Sequence, residues 1–135
     1  MRLEFSVPFV YGLARPRFSK WGAYEPAKNK SAKQAIAVMY VQASRRKYGL
    51  IKKAHKPLPV TVRIETVRPL PKSKPKKIDK EHDTYKPDLD NVAKLVLDAL
   101  NDVAYDDDSQ VTILSVSKRP RTRKAATQTT VIIEY

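Results

Sequence analysis

Hydrophobic and polar positions alternate strictly at the start of the chain. In "RLEFSVPFV", Leu3, Phe5, Val7 and Phe9 face one way and Arg2, Glu4, Ser6 and Pro8 the other, which predicts a strand with one buried face. A loop rich in aromatics and bases follows, "YGLARPRFSKWGAYEP". From Asn29 to Tyr48 the period changes to that of a helix, with Ala32, Ala35/Ile36, Met39/Tyr40 and Ala43 on one side and Gly49 as its stop. "LPVTVRIETVRPL" is β-branched and alternates Val60, Val62 and Ile64 against Thr61, Arg63 and Glu65, a second strand. A second helix is expected over Asp88–Asp102, where Leu89, Val92/Ala93, Val96 and Leu100 recur at helical spacing. Pro87 keeps the backbone before it extended, and Asp88 suits the N-cap. "VTILSVSKR" and "TQTTVIIEY" close the chain as two strands, expected to form an antiparallel hairpin through the basic tip "KRPRTRK". The order β-α-β-α-β-β predicts an α/β fold: a single-layer mixed or antiparallel sheet of about four strands packed by two helices, in one domain spanning residues 1–135.

Between the second strand and second helix lies "RPLPKSKPKKIDKEHDTYKP", with four prolines and seven Lys/Arg. It has too little apolar content to make a core and reads as a mobile basic loop, either a solvated linker or a substrate contact.

Charge sharpens this picture. The chain carries 27 Lys+Arg against 14 Asp+Glu, a formal net charge of +13 in 135 residues. Residues 1–80 hold 20 of the bases and only four acids: Glu4, Glu25, Glu65 and Asp79. Such a field attracts polyanions, and nucleic acid bound through counterion release is the leading class of partner. A merely soluble basic surface is the blander alternative. With no cysteine there is no disulfide, thiolate metal site or cysteine nucleophile, which fits a reducing cytoplasm. The N-terminal apolar run is broken by Glu4 and Pro8, so neither a signal peptide nor a membrane span is expected.

Nine of the 14 acids are crowded between Glu81 and Asp108. On a helix, Asp90, Lys94, Asp98 and Asn101 share one polar side, with Asp90 and Lys94 four residues apart and in reach of each other. Asp88 stands at the helix mouth, and Asp106, Asp107 and Asp108 precede the next strand. Carboxylates that converge repel one another unless a cation joins them. Oxygen ligands without histidine or cysteine suit Mg²⁺ or Mn²⁺ rather than zinc. The EF-hand spacing is absent. An N-cap aspartate followed by a solvated acidic turn would account for the same residues without chemistry. The basic surroundings favour a metal, because carboxylates placed where phosphates arrive need cations between them.

The stretch "KPDLDNVAKLVLDALNDVAYDDDSQV" closely resembles the signature of the RusA-type Holliday-junction resolvases of bacteria and their phages. That pattern has Asp-x-Asp-Asn, a Lys four residues after the second Asp, a helix ending Asp-Ala-Leu-Asn, an aromatic, and Asp-Asp-x-Gln before a strand. "ARPRFSKWGAYEPAKN" also resembles a segment of the phage-borne members, whereas residues 49–84 and the last strand match only the general layout.

The resemblance implies a cytoplasmic, bacterial or phage-encoded endonuclease, acting as a homodimer on four-way junction DNA with Mg²⁺, or Mn²⁺, as cofactor. Asp88, Asp90 and Asp108 fall on the family's essential carboxylates and Lys94 on its essential lysine, giving Asp88, Asp90, Lys94 and Asp108 as the implied catalytic set. Asp107, the neighbouring acid, joins Asp88, Asp90 and Asp108 as an implied metal ligand. Three aspartates stand where the family has two, and the Ser109-Gln110 anchor selects Asp108. A buried salt bridge is the structural alternative for Lys94. The expected DNA contacts are Arg15, Arg17, Lys20, Lys72, Lys74, Lys76, Lys77, Lys86, Arg119 and Arg121. Trp21, Tyr11 and Tyr24 are expected either to stack on bases or to fill core. His55 and His82 are expected to be exposed bystanders. A nuclease on flaps or other branched DNA, and a non-catalytic branched-DNA-binding module, are the competing readings.

Overall fold

A computed structural model describes all of residues 1–135. Four long strands form one sheet: β1 (Arg2–Val7), β4 (Val60–Val67), β6 (Val111–Lys118) and β8 (Gln128–Glu134), in the order β1-β8-β4-β6. β8 runs antiparallel to both β1 and β4, and β4 runs parallel to β6, so the sheet is mixed. Two helices, α1 (Ala27–Tyr48) and α2 (Leu89–Leu100), pack on it, as the sequence pattern predicts.

The period-2 pattern of each strand decides which side the helices cover. Leu3, Phe5 and Val7 of β1, Val60, Val62 and Ile64 of β4, and Val131 and Ile133 of β8 are buried. Against them lie Ala32, Ile36 and Tyr40 of α1 and Val92, Ala93, Leu95, Val96, Ala99 and Leu100 of α2. The other face is polar and solvated. There Ser6 Oγ and Thr130 Oγ1 lie 3.1 Å apart, and Arg63 sits 3.6 Å from Glu134.

The closing strands do not form the expected hairpin. β4 lies between β8 and β6, and β6 is one edge of the sheet. Gln110 supplies the physical reason. Its buried side chain donates to the carbonyls of Ala54 and Leu58, both at 3.1 Å, on the segment that leads into β4. The starts of β4 and β6 are thereby fixed at one end of the sheet, and the two strands leave it in the same direction. Parallel strands need a long crossover, which α2 and its flanking loops provide.

Five short elements went unforeseen. β2 (Arg17–Ser19) and β3 (Gly22–Tyr24) make a hairpin inside the aromatic loop. β5 (Lys80–Glu81) pairs with β7 (Arg121–Thr122). A 3₁₀ turn, η1 (Asp108–Gln110), separates α2 from β6.

The basic segment before α2 was read as a mobile loop, but it is tethered. Arg68 donates two hydrogen bonds to Asp83, at 2.9 and 2.6 Å, and the Asp83 side chain is only 1% exposed. Glu81 pairs with Arg121 and, at 3.0 Å, with Lys74. The Arg121 guanidinium stacks 4.1 Å from the centre of the Tyr85 ring. An ionic and aromatic network thus replaces the apolar core that the segment lacks.

Candidate active site

The first turn of α2 carries two exposed carboxylates, Asp88 and Asp90. Asp88 occupies the N-cap, but only its backbone caps: its carbonyl accepts from Val92 N at 3.1 Å, and its side chain makes no cap hydrogen bond. The carboxylate therefore stays available, 4.0 Å from Lys86 Nζ. Both acids sit at the positive end of the helix dipole, which tolerates their charge. A cleft of about 320 Å³ opens beside them, lined by Tyr11, Gly12, Lys86, Pro87, Asp88 and Asn91 among others.

One turn on, Lys94 is exposed and lies within 4.0 Å of no carboxylate. The expected contact with Asp90 is not formed, and the buried salt bridge that offered a structural role for Lys94 is absent. Another turn on stands Asp98, which sequence reasoning placed on this side without giving it a role. Burial pushes its carboxyl above the usual range. Lys33 pulls it down, Asp108 pushes it up, and Lys94 and Glu25 add opposite smaller effects. Asp98, Asp108 and Lys94 therefore share one field with the Glu25–Lys33 pair, whose atoms are 2.5 Å apart. The spacing of Asp90, Lys94 and Asp98 was the signal for it.

The three consecutive aspartates are sorted by η1 rather than by strand alternation, since β6 begins only at Val111. Asp106 turns away: its carboxylate takes the N–H of Lys56 at 2.8 Å and lies 3.1 Å from His55 Nδ1. These contacts, the Lys56 N–H first, hold Asp106 below the usual carboxylate range. Asp107 caps η1, accepting from Ser109 N at 3.1 Å while its own N–H donates to Gln110 Oε1 at 3.0 Å. The Ser109 contact depresses the Asp107 carboxyl in turn. Asp108 has no ion pair within 4.0 Å, and its charge is felt by Asp98 and by buried Tyr105. Tyr105 donates to the Leu97 carbonyl at 2.7 Å and ties the chain before η1 to α2. Thus the motif's aromatic and glutamine position the acids.

The donor set of Asp88, Asp90 and Asp108 is all carboxylate oxygen, which fits a hard divalent cation. No three acidic or histidine side chains lie at a common ligating distance.

The expected DNA contacts divide. Arg15, Arg17 and Lys20 are exposed on and around the β2–β3 hairpin, and Lys72, Lys76, Lys77 and Lys86 are exposed along the basic segment. Arg119 is exposed, 3.6 Å from Glu65. Lys74 is half-buried on Glu81, and Arg121 is 7% exposed with its guanidinium committed to Glu81, so the fold ties up both. Among the aromatics, Tyr11 donates to Asn29 Oδ1 at 2.9 Å and packs on the core, whereas Trp21 is fully out in solvent. His55 and His82 are exposed, though His55 touches Asp106.

No helix is long and apolar enough to cross a membrane. The chain is 39% identical to an uncharacterised protein, YqaN, of Bacillus subtilis (strain 168), over 130 residues that cover 81% of this chain and 83% of that protein. The family model for endodeoxyribonuclease RusA matches residues 8–134. The match runs from just past β1 to the end of β8 and takes in the helix mouth, the aspartate turn and the segment between them. With 127 of the 135 residues inside it, this chain belongs to the RusA family of endodeoxyribonucleases.

Proposed function

We propose that the protein is a Mg²⁺-dependent, structure-specific DNA endonuclease that resolves four-way junctions by hydrolysing paired phosphodiesters, serving recombination and repair. Family membership supplies the reaction class. The observation that supports the assignment to this site is that Asp90, Lys94 and Asp108 have no ion pair within 4.0 Å and Asp88 has only exposed Lys86, at 4.0 Å. Their neighbours Asp106 and Asp107 are occupied by Lys56 and Ser109.

Asp88, Asp90 and Asp108 would hold the divalent ion, with Asp107 in support. When bound, Mg²⁺ or Mn²⁺ supplies Lewis-acid charge and lowers the pKa of coordinated water. Lys94, on the same side of α2 and with no carboxylate to neutralise it, offers its ammonium to a non-bridging phosphate oxygen as charge builds there. Asp98, one turn further, keeps Lys94 company electrostatically without occupying it. The exposed bases on either side hold the sugar-phosphate backbone and set its approach. Resolving a junction takes two symmetric cuts, so the acting form is a homodimer.

The test is a mobile four-way junction incubated with purified protein and Mg²⁺, beside flaps, forks and matched duplex. Paired cuts confined to the junction support the reading. Efficient cutting of flaps or forks alone would assign another branched substrate, and tight binding without cleavage in Mg²⁺ or Mn²⁺ would make the protein a binding module.

A further inference from the structure

The β2–β3 hairpin keeps its aromatic side chains outside the molecule. Phe18 is 83% exposed and Trp21 is 87% exposed, and Tyr24 is also in solvent. Burying side chains of this size would stabilise the fold, and here that contribution is forgone. Strand pairing puts Phe18 opposite Ala23 and Arg17 opposite Tyr24, so Phe18 meets only a methyl group across the ribbon. The turn is fixed: Trp21 N donates to Ser19 Oγ at 3.2 Å, Ser19 Oγ donates to the Gly22 carbonyl at 3.3 Å, and Gly22 has φ 111°. That positive φ suits glycine at the tip. Lys20 Nζ lies 5.1 Å from the indole centre.

Charge selects the partner. From Arg15 to Tyr24 there are three bases and no acid. A second copy of the same hairpin would meet like charge. A strand of nucleic acid offers both features that the hairpin complements, phosphates for the bases and flat faces for the rings.

The hairpin's roots place it beside the acidic face. On the entering side, Leu13 N donates to the Asn91 carbonyl at 3.0 Å, next to Asp90. Buried Asn29 clamps Ala14 at both its N–H, 3.0 Å, and its carbonyl, 2.9 Å. Gly12 packs so closely that an added Cβ would come within 2.8 Å of Pro87 Cβ and 3.0 Å of Asn91 Cβ. On the leaving side, Glu25 is paired with Lys33 within the field of Asp98. Three strand residues at about 3.3 Å each carry the tip roughly 10 Å beyond the base of the hairpin at Arg17 and Tyr24.

We propose that this hairpin is a base-stacking element: Trp21 and Phe18 take up unpaired or unstacked bases where DNA branches, and Arg15, Arg17 and Lys20 hold the flanking phosphates. The inference rests on the endonuclease reading and adds to it the feature of the substrate that is read, an open base rather than a duplex. Matched duplex hides its base faces, whereas a branch point exposes them at the centre of the structure to be cut.

Trp21 is the only tryptophan, so its emission reports the hairpin alone. The full-length protein in EDTA, where no strand is cut, is titrated with oligo-dT, matched duplex and a four-way junction. Each DNA carries a fluorophore whose anisotropy measures binding separately. Oligo-dT and the junction are expected to quench Trp21 strongly at saturation and duplex to quench it little. Trp21→Ala is expected to weaken binding of oligo-dT and junction by about 5- to 150-fold, the range for losing one stacked base. Trp21→Phe should restore most of it, and duplex binding should change less than about twofold. Trp21 lies outside the core, and circular dichroism confirms that the variants fold. A junction that saturates by anisotropy while Trp21 emission stays constant overturns the stacking proposal and leaves the endonuclease reading standing. Equal quenching by duplex overturns it too, as does a blue shift with protein concentration alone, which would make the hairpin a self-association element. No anisotropy change with any of the three DNAs would overturn both readings.

Discussion

The Asp106 carboxylate accepts the backbone N–H of Lys56 at 2.8 Å, across 50 residues of sequence. With Lys53 Nζ at 3.6 Å and His55 at 3.1 Å, this contact binds the segment before β4 to the turn after α2. Asp106 is therefore a structural anchor next to Asp107 and Asp108. Asp106→Asn keeps an oxygen to accept the Lys56 N–H and is expected to retain most cleavage activity. Asp108→Asn should lose activity by orders of magnitude, and Asp107→Asn should fall between, because its cap on Ser109 survives while its charge does not. All three are assayed on one junction at saturating Mg²⁺ with melting curves run beside them. An essential Asp106 with a dispensable Asp108 would shift the ligand register by two residues.

Asp90 separates chemistry from affinity. It is exposed, paired with nothing, and sits in the first turn of α2. Asp90→Asn is expected to abolish cleavage while junction binding without metal stays equal or tightens, since one fewer negative charge opposes the DNA. Near wild-type cutting by the folded variant would remove Asp90 from the metal site.

The basic segment calls for selective substitution. Lys72, Lys76 and Lys77 are exposed and unpaired, whereas Lys74 holds Glu81 and is left in place. Replacing the three with Ala should weaken junction binding and reduce the slope of log affinity against log salt by about 2–3, near 0.9 for each phosphate contact. Thermal stability should barely move, as exposed lysines contribute little to folding. A slope unchanged from wild type would route the DNA along another face.

Much of this was legible in the sequence where a residue's role depends on its near neighbours. The stripes of α1 and α2 and the alternation of β1, β4 and β8 are local periodicities, and the burial follows them. What was not legible depends on contacts between distant residues. The parallel pairing of β6 with β4 turns on Gln110 reaching Ala54 and Leu58, and nothing local distinguishes that glutamine from a solvated one. The sorting of Asp106 from Asp108 turns on Lys56. Arg121 looked like a phosphate contact because it stands in a basic run, and only its position opposite Glu81 and over Tyr85 turns it inward. The β2–β3 hairpin escaped notice because its strands are three residues long and lack a buried face to give a period.

The Arg68–Asp83 pair makes the tether of the basic segment pH-sensitive. Burial raises the Asp83 carboxyl, but the two hydrogen bonds from Arg68, the Tyr85 N–H and the nearby charge of Lys118 outweigh it and hold the group below the usual range. A carboxyl depressed in the folded state stabilises the fold fully above its unfolded pKa of about 3.9 and loses that contribution as pH falls through the folded value. Asp83→Asn should therefore cost about 3 kcal/mol at neutral pH, where it leaves Arg68 without its buried partner. The gap between wild type and variant should stay constant while pH lies well above that unfolded value and close as pH falls below it and through the lower folded one. Urea unfolding across this range measures it directly. Since Tyr85 donates its N–H to Asp83 at 3.3 Å and stands three residues before Asp88, the same variant should also loosen the approach to the helix mouth and lower junction cleavage at neutral pH. A gap that persists undiminished at low pH would mean that packing rather than charge holds the segment in place.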